Sequence, residues 1–201
     1  MIEAVIFDFG GVLVDWNPEH LYRKLIPDEA ERRHFLTDIC SPTWNYEQDR
    51  GRDWDEAIAL KVAEFPRHAP LIRAYRDRWT EMCGGTISGG VAIHAKLKAA
   101  GVPLYGLTNW SGPTFELGER MFPILRDFNY VAVSGRLRMV KPDPEIYLHL
   151  LQHCRLRAEN CLFIDDVARN VDGGRAVGLQ AIQFTSPDDA TLQMRALGLP
   201  V

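Results

Sequence analysis

The sequence predicts an α/β protein: a parallel sheet with helices on both faces and one helical segment inserted near the start. Three observations carry this. Short apolar runs recur at 4–7, 102–107, 130–133, 161–164 and 180–184, and they lack the polar alternation of half-exposed strands. Helical patterns separate the later runs, and strand alternating with helix implies a parallel sheet. Between Trp16 and Gly85, by contrast, nothing reads as a strand.

Taken in order, "AVIF" (4–7) is the first strand and runs into Asp8 and the pair Gly10-Gly11. Helical stretches follow at 19–25, 29–39, 54–64 and 70–82, punctuated by Pro42, Pro66 and Pro70. This segment holds four of the five tryptophans, Trp16, Trp44, Trp54 and Trp79. Its polar stretch "WNYEQDRGRDW" (44–54) reads as a loop entering the site, and "GGTISGG" (84–90) as a hinge. Next, "VAIHAKLKAAG" (91–101) is a helix stopped by Gly101. In "KPDPEIYLHLLQHC" (141–154), Asp143 is the N-cap, Pro144 the first helical residue, and Ile146, Tyr147, Leu150, Leu151 and Cys154 the apolar face. "ARNVDGGRAVG" (168–178) is a last helix, ended by Gly178. A lone strand before the insertion has no independent stability. The expected division is therefore a core of residues 1–15 and 86–201 with a helical cap of residues 16–85.

The bulk numbers agree with a folded globular chain. It has 201 residues, 46% of them apolar and 25% charged, enough for one buried core with a smaller lobe. A net charge of -4 supplies no basic face, which argues against nucleic acid and anionic membranes as partners and favours small molecules. Cys40, Cys83, Cys154 and Cys161 form no CxxC motif, so free thiols are expected. Without a signal-peptide pattern or a long apolar span, the expected location is cytoplasmic.

Polar residues fall where the strands end: Asp8 after the first, Thr108 and Asn109 after the second, Lys141 beyond the third, Asp165 and Asp166 after the fourth. Ligands of open α/β sheets bind at that edge. The set suits attack by the Asp8 carboxylate on a phosphoryl group to give an acyl phosphate. Two further acids nearby would raise one another's pKa values unless a cation intervenes, and Mg2+ prefers such oxygen ligands. The Thr108 hydroxyl, the Gly11 and Asn109 backbone N–H groups and the Lys141 ammonium are the expected phosphoryl holders.

Four ordered motifs, "FDFGGVLVD", "LTN", "KPDPEIY" and "FIDDVARN", resemble those of the haloacid dehalogenase-like (HAD) hydrolase superfamily. The likeness is greatest to its capped sugar-phosphate phosphatases and to the N-terminal phosphatase domain of bifunctional epoxide hydrolases. This resemblance implies a Rossmann-like core and an inserted helical cap. It also implies Asp8 as nucleophile, Thr108 as the phosphate-binding hydroxyl and Lys141 steadying both. Asp166, an Asp8 oxygen and the Gly10 carbonyl would hold Mg2+, Asp165 would act through water, and Asn170 would order the loop.

One position departs from the pattern. Phosphatases of this kind carry a second aspartate two residues after the nucleophile, to protonate the leaving alcohol; here it is Gly10. Such acid help is worth ~10²–10⁴ in rate. His20 is the candidate donor from the cap, and Trp16, Trp44 and Trp110 are candidates to face the substrate. The leading reading is a Mg2+-dependent hydrolase of a small phosphorylated metabolite. Two others stand beside it: a metal-free 2-haloacid dehalogenase using Asp8, and a phosphate-binding or scaffold protein that lost turnover with the second acid. The acid pair favours the first. A phosphonate hydrolase would need a cap lysine, but Lys24 and Lys61 have no context for it, and the motif order argues against a receiver domain.

Overall fold

A computed structural model describes residues 1–201. Seven strands run along the chain: β1 (Ala4–Phe7), β2 (Val14–Trp16), β3 (Cys83–Thr86), β4 (Leu104–Thr108), β5 (Tyr130–Val133), β6 (Cys161–Asp165) and β7 (Gln180–Gln183). Five of them form one sheet in the order β5-β4-β1-β6-β7, with every neighbouring pair parallel. The fold class is thus the expected Rossmann-like parallel sheet. The chain first builds outward from β1 to β4 and β5, then crosses to β6 and β7 on the other side. The strand order therefore reverses at β1, and the crevice at its carboxyl end is where such sheets bind ligands.

Alternation along β1 explains its unbroken apolar run. Val5 and Phe7 enter one core, with Ile93, Leu97, Phe115 and Met194, while Ala4 and Ile6 enter the opposite one, with Ile146, Leu150 and Val171. Both faces are buried, so no position is left for a polar residue. The covering helices are α6 (Ser88–Ala99), α7 (Gly112–Met121) and α11 (Pro187–Ala196) on one side, and α9 (Pro144–Cys154) and α10 (Ala168–Ala176) on the other. A short helix α8 (Ser134–Leu137) follows β5.

Between β2 and β3 lie α1 (Glu19–Leu25), α2 (Glu29–His34), α3 (Pro42–Asp49), α4 (Trp54–Glu64) and α5 (Ala69–Asp77), with a π-helical turn at Phe35–Ile39 after α2. Tyr22, Phe35, Trp44, Trp54 and Tyr75 pack edge to face or tilted at their centre, with ring centroids 4.8–6.1 Å apart. No helix of the chain is long and apolar enough to cross a membrane.

Two sequence expectations need correction here, and a third holds in position but not in its bonding. The segment from Trp16 to Gly85 does carry strand: β2 and β3 pair antiparallel, Val14 with Thr86 and Asp15 with Gly85, at the two ends of the insertion. Strands of three and four residues, one of them "CGGT", offer no β-branched run to read, and the glycines that looked like a hinge lie partly in a ladder. The stretch expected as a loop at 44–54 is mostly α3. Its start signal is present in the sequence: Ser41 as N-cap, accepting the Trp44 N–H at 3.2 Å, and Pro42 at the first helical position. Asp143 does sit at the N-cap of α9, but its carboxylate makes no capping bond and instead accepts from Arg50 at 3.1 Å.

The first turn of α6 braces the loop after β1. Ile87 donates its N–H to the Leu13 carbonyl at 2.8 Å, and a Cβ on Gly90 would lie 1.9 Å from the Val12 carbonyl oxygen. A backbone atom cannot move aside, so Gly90→Ala should lower unfolding free energy by about 1–3 kcal/mol. A Cβ on Gly10 meets nothing within 4 Å, so Gly10→Ala should change stability by less than about 0.5 kcal/mol. Urea melts of both variants check this, and equal midpoints for the two would contradict the packing described.

Candidate active site

Parallel register sets the site. Phe7 pairs with Ile164 of β6 and with Gly106 of β4, so Asp8 emerges beside Asp165 and close to Thr108. The Asp8 N–H continues the ladder to the Ile164 carbonyl at 2.8 Å, and its Oδ1 accepts the Phe9 N–H at 2.7 Å. The side chain therefore points off the sheet edge in one fixed direction.

Lys141 lies in the loop before α9 and is fully buried. Its Nζ is 2.9 Å from Asp8 Oδ1 and 2.6 Å from Asp165 Oδ2, a bridge between two strand ends. Burial alone would lower the ammonium's pKa, but the Asp165 and Asp8 carboxylates outweigh it and raise it. The Lys141 backbone is clamped by Asn109, whose Oδ1 accepts the Lys141 N–H at 2.8 Å and whose Nδ2 donates to its carbonyl at 2.9 Å. The Tyr46 hydroxyl, from α3, donates to the same carbonyl at 3.0 Å.

Asp165 is held equally firmly. Its Oδ1 accepts the Val167 N–H at 2.8 Å, and the Asn170 amide lies 3.1 Å from both oxygens. Asp166 follows at the mouth, its carboxylate against the backbone of Gly11: a Cβ there would fall 2.2 Å from Asp166 Oδ2. Gly11 also has φ +69°, which an L side chain rarely adopts. Oxygens of Asp8, Asp165 and Asp166 come within 4.8 Å of one another. Burial raises the Asp8 carboxyl well above the usual range; Lys141 opposes this, while Asp165 and Asp166 add to it. Asp166 is raised by burial and by Asp165. Three acids thus face one ammonium.

Asp8, Gly11, Lys141 and Asp166 line a cavity of about 590 Å³ together with Gly10, Trp16, Glu19, Asn45, Tyr46, Asp49, Asn109, Arg169 and Asn170, while Asp165 is fully buried and does not reach its wall. A small recess beside it is walled by Trp16, Trp79 and Trp110, with Gly10, Asp49, Thr108 and Thr114. The structure therefore brings together Asp8, Gly10, Gly11, Thr108, Asn109, Lys141, Asp165, Asp166 and Asn170, and places Trp16 and Trp110 on the walls.

Three expectations differ. His20 is absent from the lining; its Nε2 pairs with Asp15 Oδ2 at 2.9 Å beside Gly84, drawn to the β2–β3 ribbon by that carboxylate. Trp44 is buried in the aromatic cluster of the inserted helices, 5.2 Å from the Tyr75 ring and 5.8 Å from the Trp54 ring. The Gly11 N–H is committed to the Val14 carbonyl at 3.0 Å, so it serves the turn and is not free for a phosphoryl oxygen. Asp49, Asn45, Tyr46 and Arg169 were not among the expected residues. For the first three the signal was the unusual polarity of 45–53 between two tryptophans.

Asp49 stands at the end of α3, and burial pushes its carboxyl up to about 7 against the opposing pull of the Ser111 N–H and of Lys141. An exposed aspartate titrates near ~3.9. Between those values the folded chain keeps a proton that the unfolded chain has lost, so stability falls as pH rises through this window and the full cost stands above it. Asp49→Asn should therefore raise stability above pH 7, by about 1 kcal/mol or more, and leave it unchanged below pH 4. Thermal melts across pH test the sign; a stability loss at pH 8 would contradict it. Removing the shared cation acts the other way: Lys141→Met should cost about 3–5 kcal/mol at neutral pH, because Asp8 and Asp165 are left buried without a counter-charge.

A family model described as haloacid dehalogenase-like hydrolase matches residues 2–178. The chain is 29% identical over 196 residues to the sesquiterpene phosphatase astK of Aspergillus oryzae, covering 97% of this chain and 96% of that one. Among solved structures it is similar to a HAD family enzyme of Bacteroides thetaiotaomicron in complex with magnesium and inorganic phosphate, with a TM-score of 0.69, 19% identity, and coverage of 91% of this chain and 94% of that one. It is also similar to the L-2-haloacid dehalogenase of Xanthobacter autotrophicus, with a TM-score of 0.67, 18% identity, and coverage of 100% of this chain and 85% of that one.

Proposed function

The chain belongs to the haloacid dehalogenase-like hydrolase family, and from that premise we propose that it is a Mg2+-dependent phosphomonoester hydrolase acting on a small phosphorylated metabolite through an aspartyl-phosphate on Asp8. In this reading residues 1–15 and 86–201 work as the core and residues 16–85 as a cap over the site. The observation that carries it is the Lys141 ammonium set between Asp8 and Asp165, with Asp166 converging on the same point.

The donor set fits a hard divalent cation. Three carboxylates against one ammonium leave two negative charges uncompensated in a buried pocket, which burial and mutual repulsion already express in the raised carboxyls of Asp8 and Asp166. Every candidate ligand is an oxygen, and Asn170 Oδ1 is a buried acceptor without a protein partner. Asp8, the Gly10 carbonyl and Asp166 would hold Mg2+, with Asp165 acting through water. Bound there, the cation would offset the carboxylate charge and draw electron density from the phosphoryl oxygens.

The protein's own groups supply the rest. Asp8 attacks phosphorus from a carboxylate whose direction the Phe9 N–H and Lys141 fix. Lys141 balances the charge that moves onto the transferring group, and the Thr108 hydroxyl binds one of its oxygens. Water then cleaves the Asp8–phosphorus bond. A metal-free displacement of halide would leave Asp165 and Asp166 with no partner charge beyond Lys141, and this favours phosphate over halide. The tryptophan-walled recess, and the likeness to a sesquiterpene phosphatase, support a substrate with an apolar portion beside its phosphate.

Phosphate release from aryl, sugar and prenyl monophosphates tests the proposal. It should require Mg2+, stop with chelator, and fall at least about a thousandfold in Asp8→Asn. Metal-independent chloride release from 2-chloropropionate would overturn it. Tight Mg2+-dependent phosphate binding with no turnover would favour a binding protein.

A further inference from the structure

An alkoxide leaving a phosphoryl group needs a proton, and Gly10 has none to give. We propose that Asp49 of α3 is the general acid and base of this site, reaching across from the helical segment to serve where Gly10 has no side chain; the inference rests on the phosphatase reading above.

Asp49 lines the large cavity together with Asp8, Gly10, Lys141 and Asp166, and it lines the recess with Gly10 and Thr108. Nothing lies within 4 Å of where a Cβ on Gly10 would be, so the side of Gly10 is open space. The end of α3 is bolted in place. Ser134 Oγ donates to the Asp49 backbone carbonyl at 2.6 Å, and Tyr46 and Arg50 bind Lys141 and Asp143 at 3.0 and 3.1 Å. The carboxyl itself accepts from Asn45 Nδ2 at 3.1 Å and also faces the Ser111 N–H, so its direction is set by two donors while it lines both cavities. With the α3 end tied to the core loops, Asp49 is kept in the cavity that Asp8 and Gly10 also line.

Other proton-bearing groups of the cavity serve less well. Glu19 is bound by Arg23 and Arg32 and kept ionised. Burial pushes the Cys40 thiol up to about 12 and raises the Tyr75 phenol well above its usual range. The Tyr46 hydroxyl is donated to the Lys141 carbonyl, and Asp8 and Asp166 belong to the nucleophile and the metal. Arg169 is the remaining cation on the wall, and a guanidinium does not give up its proton. With its pKa near 7, Asp49 is poised for transfer in both directions.

The two half-reactions balance. An Asp8 oxygen bonds to phosphorus, the ester oxygen–phosphorus bond breaks with its electron pair going to the alcohol oxygen, and that oxygen takes the Asp49 proton. Asp49, now a carboxylate, takes a proton from water as the water oxygen bonds to phosphorus. The Asp8–phosphorus bond breaks, Asp8 is again a carboxylate, Asp49 is reprotonated, and inorganic phosphate leaves.

Leaving-group dependence separates this role from a structural one. With Mg2+ and enzyme in excess, alcohol release in a single turnover is measured for 4-nitrophenyl phosphate, whose leaving group needs no proton, and for the fastest alkyl monoester of the panel. Asp49→Asn should slow the alkyl ester ~10²–10⁴-fold and the aryl ester by less than about threefold. In the wild type, kcat/KM for the alkyl ester should fall as pH rises through about 7, and this limb should vanish in the variant. Gly10→Asp added to Asp49→Asn should restore alkyl turnover, which also shows that the variant folds. Equal losses on both esters, no loss on either, or a wild type that cleaves only aryl esters would overturn the role of Asp49. A wild type that cleaves no monoester would overturn the phosphatase reading itself.

Discussion

A buried lysine between two buried aspartates is the constraint on which the site depends. Lys141 has no exposed surface, and its ammonium is tolerated because Asp8 and Asp165 lie 2.9 and 2.6 Å away. That arrangement demands that β1 and β6 be neighbours in register, that the loop before α9 reach across both, and that Asn109 clamp the lysine backbone from the end of β4. One charge triplet thus ties together three strand ends of a sheet whose order reverses at β1. The topology supplies the place, and the triplet supplies the directions in which the carboxylates point.

The same constraint leaves the site electrically unfinished. Asp166 adds a third carboxylate that Lys141 does not touch, pressed against Gly11 where only a glycine fits. An internal cation matched to two acids, with a third acid at the mouth, is an arrangement that a divalent ion and a phosphate would complete. The inserted helices contribute in kind: Tyr46, Asp49 and Arg50 of the α3 end all engage the core loops around the triplet. The insertion thereby supplies part of the site's wall.

Much of this is legible in the sequence. The sheet strands read clearly because burial on both faces leaves apolar runs, and Asp8, Thr108, Lys141, Asp165 and Asp166 read clearly because each closes or follows such a run. What escaped was set by tertiary contact. The β2–β3 ribbon is made of two very short strands, one with a glycine pair inside it, paired across about seventy positions of sequence, and no local pattern marks it. His20 and Trp44 were plausible by residue type, yet Asp15 holds the one and an aromatic cluster the other. Asp49 was hidden within a run of polar residues, and only the docking of α3 distinguishes it from Glu47 or Asp53. Gly10 was noticed for what it lacks; the structure adds that its side is open and that a carboxyl faces the same space.

The central claim is that Asp8 carries the phosphoryl group. Rapid acid quench during turnover of 4-nitrophenyl phosphate with Mg2+, followed by borohydride reduction and peptide mass analysis, reads this directly. An acyl phosphate at Asp8 is reduced to homoserine at that position, in an amount that tracks the steady-state intermediate, and no other acid of the site is changed. Continued phosphate release with position 8 still aspartate, or homoserine found at another site acid, would contradict the account.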